Sequence, residues 1–191
     1  MKGDVFTKKS QIIDLVEINH HLLPVINRFG IYLGNKDQTF EQICQAQGID
    51  IDFFLTILNT YHDEDYFPEQ ELKSFAPSMI IDYLQKTHQY YKDYVLPKID
   101  GLLDGLIKSA NTNADQLELI VKFYEKYKNE FLLHIREEEE EVFPYIKSVL
   151  SQTTINTRYT IHSFEKEHGN VDDKLNDLIN LIVKYVEPHY D

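Results

Sequence analysis

The sequence predicts an all-α protein, an up-down bundle of long helices preceded by a small helical module. Three observations carry this. Seven Gly and six Pro in 191 residues leave long stretches without punctuation. Apolar residues recur three and four apart along most of the chain, which is the period of a helix face. Two-residue alternation, the mark of a half-buried strand, is hard to find.

The first sixty or so residues read as short helices. Ser10 is placed to cap a helix through Ile12, Ile13, Val16 and Glu17, since a serine hydroxyl can accept an orphan N–H of the first turn. A second piece follows Pro24 and stops near Gly30. Gly34, Asn35 and Asp37 make 31–38 a loop. Thr39 with Glu41 and Gln42 starts a third helix, with Phe40, Ile43 and Cys44 inward and Gly48 at its end. Asp50 or Asp52 opens a fourth through Phe54, Leu55, Ile57 and Leu58. The module is therefore assigned to 1–62. Residues 63–76 are acidic and aperiodic and read as a linker.

Residues 77–191 form the bundle, in three stripes. The first runs through Ile81, Leu84, His88, Tyr91, Val95, Leu102 and Leu106. The second runs through Leu117, Ile120, Tyr124, Tyr127, Phe131, His134, Glu138, Val142, Tyr145 and Val149. The third runs through Ile161, Phe164, His168, Val171, Leu175, Leu178 and Ile182. Such stripes pack as antiparallel helices. Residues 111–114 and 151–156 supply the turns, and Pro97 predicts a kink in the first helix.

Composition narrows the function. A chain that is 42% hydrophobic and 27% charged is globular. Its 32 acidic residues against 19 basic ones leave a net charge of -13, which repels nucleic acid and anionic membranes. One Cys excludes an intrachain disulfide and a cysteine-built zinc or iron–sulfur site within the chain. Neither a membrane-length apolar run nor a signal-peptide core is present, so a cytoplasmic location is expected.

Each stripe holds a residue foreign to an apolar core: His88, then His134 with Glu138, then His168. His134 and Glu138 are four apart and share one helix face. A buried lone carboxylate costs several kcal/mol unless it is paired or bound to a metal. Imidazole and carboxylate together suit iron, zinc or manganese. Taken singly, each has a plainer reading: an inward histidine is commonly a hydrogen-bonded core residue, and Glu137–Glu141 is a solvated face apart from Glu138 and at most Glu141. Three helices each carrying a ligand-type residue is what favours a metal. His162 is read as surface, and Tyr91 and Tyr127 as packing residues within reach of the site.

His134-Ile135-Arg136-Glu137-Glu138 followed by Val142-Phe143-Pro144 resembles the H-x-x-x-E…FP motif of hemerythrin-like (HHE cation-binding) domains. Glu167-His168 and Thr87-His88…Leu96-Pro97 resemble two further motifs of those domains. Phe29-Gly30-Ile31-Tyr32, Thr39-Phe40 and Gly48-Ile49-Asp50 are similar to the N-terminal module of the iron–sulfur cluster repair (RIC, YtfE/ScdA-like) family. The resemblance implies a non-haem di-iron centre in a cytoplasmic four-helix bundle. It also implies work on O2, NO and damaged iron–sulfur proteins under nitrosative or oxidative stress. Carried onto matching positions, it makes His88, His134, Glu138 and His168 metal ligands and Glu138 the bridging carboxylate.

Three departures qualify it. Leu33 and Gly34 follow Tyr32 where that module usually carries adjacent cysteines. Ser109, Ala110 and Asn111 stand where a further His is expected. A last helix with another H-x-x-x-E is missing, since His189 has no Glu four residues on. The bundle is therefore expected to be C-terminally incomplete, with an apolar groove that predicts either a homodimer or poor solubility. The expectation is an iron-binding repair protein. The alternatives are a module that senses or stores O2, NO or iron, and a degenerate metal-free interaction protein. An enzyme acting on an organic substrate is least favoured, because no nucleophile–base pair or phosphate-binding glycine loop is present.

Overall fold

The computed structural model describes residues 5–34, 37–63, 65–109, 114–151 and 171–186. Among them it is all-α, with helices α1 Ile12–Asn19, α2 Leu23–Arg28, α3 Phe40–Gln47, α4 Ile51–His62, α5 Glu69–Ser74, α6 Pro77–Tyr90, α7 Leu96–Ser109, α8 Ala114–Glu137, α9 Phe143–Leu150 and α10 Val171–Tyr185. A 3₁₀ turn at His20–Leu22 joins α1 to α2. Wide π-turns at Tyr91–Val95 and Glu138–Val142 join α6 to α7 and α8 to α9 without a break. The chain divides into two units, Met1–Thr87 and His88–Asp191, and the division falls inside α6. The stretch read as a linker contains α5.

The first unit has its own apolar core, built on Phe6, Leu15, Ile26, Ile31, Phe40 and Phe54 among others. Phe54 meets Phe40 and Phe29 edge-on, each at 5.1 Å between ring centres. Helix starts follow local chemistry. The Thr39 hydroxyl accepts the Gln42 N–H while the Gln42 side chain accepts the Thr39 N–H. Gly48 closes α3 at φ +69°, a left-handed position that favours glycine. Asp50 caps α4 by accepting the Phe53 N–H at 2.9 Å. Ser10 does not cap α1. Its hydroxyl accepts the Thr7 N–H at 3.0 Å, its carbonyl accepts the Phe40 N–H at 2.8 Å, and Asp14 takes the Gln11 N–H instead. Asn59 both donates to and accepts from the Phe6 backbone at 3.0 Å, tying the N-terminal segment to α4.

In the second unit α7, α8 and α10 pack around Ile120, Tyr124 and Leu178. Asp100 on α7 accepts from Tyr124 Oη at 2.8 Å and Lys128 Nζ at 2.6 Å on α8, a polar clamp between the two helices. The kink expected at Pro97 takes the form of the first π-turn. The Leu96 N–H reaches back five residues to the Tyr91 carbonyl, and the Phe143 N–H does the same to Glu138 ahead of Pro144. A proline ring crowds the carbonyl four residues back, and a wider turn relieves it. The wide turns also shift the helix phase. Leu102 and Val149, predicted inward, are 64% and 58% exposed, while Leu96 and Ser148 are buried.

Candidate metal centre

His88 sits in the last turn of α6, His134 in the last turn of α8, and Glu138 opens the second π-turn. The second unit brings these three together. Glu138 is 7% exposed and His88 is likewise 7% exposed. Glu138 Oε2 lies 3.0 Å from His88 Nε2, and Glu138 Oε1 lies 3.6 Å from His134 Nε2. One buried carboxylate thus stands between two imidazoles from different helices.

Sequence reasoning missed Glu139. Its Oε1 lies 3.1 Å from His88 Nδ1 and 3.5 Å from Lys92 Nζ. A plain 3.6-residue stripe leaves Glu139 on the solvated face. The signal that points to it is Phe143-Pro144, which demands a locally wider turn over the preceding residues. Phe143 stacks on the His88 ring at 5.7 Å and 12°. Tyr91 and Tyr127 both pack on Phe131, at 5.4 and 6.1 Å. Glu141 is exposed. His168 and His162 lie outside the described residues.

Among the described residues, no three His, Cys, Asp or Glu side chains stand as a ready-made metal cage. The imidazole nitrogens face the carboxylate itself rather than a shared point. The donor set nevertheless fits a transition metal. It offers imidazole nitrogens and a carboxylate whose burial needs a positive partner.

A family model, the hemerythrin HHE cation-binding domain, matches residues 79–189. The chain belongs to the hemerythrin HHE family. The matched span contains His88, His134 and Glu138, so the buried pairings fall within a hemerythrin HHE cation-binding domain. No curated protein and no solved structure matches the chain. Among the described residues of this HHE protein, no helix is long and apolar enough to cross a membrane.

Proposed function

We propose that the chain is an iron-binding protein whose iron is held by His88, His134 and Glu138, together with His168 by its likeness to the HHE motif. The supporting observation is the Glu138 carboxylate, buried between two imidazole nitrogens at 3.0 and 3.6 Å, inside the span matched to a cation-binding domain. Bound iron supplies redox chemistry and affinity for oxygen and nitric oxide. The residues themselves would bring imidazole nitrogens, a carboxylate and an environment low in water, which strengthens each charge interaction. The site is proposed to be di-iron, and the protein to serve iron–sulfur cluster repair in the cytoplasm under nitrosative or oxidative stress. Leu33-Gly34 in place of a cysteine pair favours a second reading, in which the chain stores or senses iron, O2 or NO without repair.

The test is anaerobic loading of the full chain with ferrous iron, followed by elemental analysis and incubation with a nitric-oxide-damaged iron–sulfur protein. Retained iron with recovery of the damaged cluster supports repair. Retained iron without recovery supports the storage or sensing reading. No retained iron overturns both.

A further inference from the structure

We propose that Glu139, steadied by Lys92, is a positioning residue that holds the His88 ring by its Nδ1–H and thereby presents Nε2 as the metal-binding nitrogen. The inference rests on the metal-holding role proposed above for His88. Glu139 Oε1 is 3.1 Å from Nδ1 and 3.5 Å from the Lys92 ammonium. A carboxylate beside a lysine is acceptor-only, so the ring must be the donor across the Nδ1 contact. Nε2 faces Glu138 at 3.0 Å, so Glu139 holds one ring nitrogen away from that carboxylate and leaves the other beside it, where a cation bound by Glu138 also meets Nε2. Phe143 stacked on the ring sets its plane, and the carboxylate sets its rotation about that plane. Carboxylates that accept the second N–H of a ligand histidine fix tautomer and orientation in this way.

The two wide turns explain the reach. Lys92 lies in the first and Glu139 in the second. Consecutive residues of a regular helix diverge by about 100°, which would send Glu138 and Glu139 to different neighbours. The wider turn reduces that divergence, and both carboxylates meet one imidazole.

The experiment is long-range 1H–15N NMR of the metal-free full chain, with the His88 ring assigned by comparison with His88→Ala. The expected result is a protonated Nδ1 in the wild type and in Glu139→Gln, whose amide oxygen still accepts. In Glu139→Ala the Nδ1 proton loses its acceptor, and its signal is lost or exchanges with water. An unprotonated Nδ1 in the wild type, or a Nδ1 proton indifferent to Glu139→Ala, overturns the inference. Cobalt(II) titration gives a second readout. Glu139→Ala should weaken binding by about 10- to 100-fold, Glu139→Gln should restore most of it, and Lys92→Met should weaken it less than Glu139→Ala. Unchanged affinity in Glu139→Ala counts against the inference. A wild type that takes up no cobalt counts against the metal reading instead, and the ring proton still decides what Glu139 does.

Discussion

A carboxylate at 7% exposure between two imidazoles has lost most of its water, and only protons or a cation offset that loss. Glu138→Gln keeps the shape and removes the charge. It should abolish iron retention while shifting the thermal midpoint of the metal-free protein by only a few degrees, which elemental analysis and calorimetry check together. Cys44, fully buried in the first unit, presents the reverse case of a group kept neutral. Burial pushes its thiol from an ordinary 9.0 up to about 11. The unfolded chain therefore ionises this thiol first, and the folded state loses stability as pH rises from about 9 to about 11. Cys44→Ala should flatten that part of the stability–pH curve, and thiol reagents should label Cys44 only as the chain unfolds. That His88, His134 and Glu138 come together was legible in the sequence because each interrupts an apolar stripe, and their metal-holding role belongs to the proposal. Glu139 was not, because a stripe drawn at 3.6 residues per turn presumes a helix of constant width.

At the scale of the element, the two π-turns are what the stripes did not convey. Both precede a proline, and each residue just before that proline hydrogen-bonds five residues back. A π-turn costs helix regularity and is kept where side chains need re-aiming. Pro144→Ala removes the steric reason for the second turn. It should raise the thermal midpoint, since a helix-interior proline costs about 3 kcal/mol. It should also weaken metal binding, because Glu138 and Glu139 would no longer share the His88 ring. A variant that is more stable and binds metal equally well would show that the turn does not aim these carboxylates. The same phase shift explains why Leu102 and Val149 face outward although their spacing predicted otherwise. Between α7 and α8, Lys128 and then Tyr124 hold the Asp100 carboxyl below the usual carboxylate range. A depressed acid lends stability above its unfolded value and loses it as pH falls. Asp100→Asn should therefore cost under about 1 kcal/mol at neutral pH for this partly exposed pair, and the difference should vanish in acid, as denaturant titrations at two pH values would show.

For the whole molecule, the all-α class was readable from the three-and-four periodicity and the sparse Gly and Pro. The caps at Thr39, Gly48 and Asp50 were readable from their side-chain chemistry. Ser10 was misassigned because its backbone and hydroxyl serve a long-range contact with Phe40 and a local one with Thr7, and neither pairing is visible in one sequence. The two units carry separate apolar cores, one around Phe54 and one around Tyr124. Phe54→Ala should destabilise the first by about 3–5 kcal/mol, as denaturant titration would show. The central claim is that the buried Glu138, with His88 and His134, holds iron. Its most direct test is iron per chain by elemental analysis after anaerobic loading and desalting, in the wild type and in the His134→Ala/Glu138→Ala double variant. The account predicts retained iron in the wild type and none in a still-helical double variant. Equal iron in both, or none in either, would contradict it.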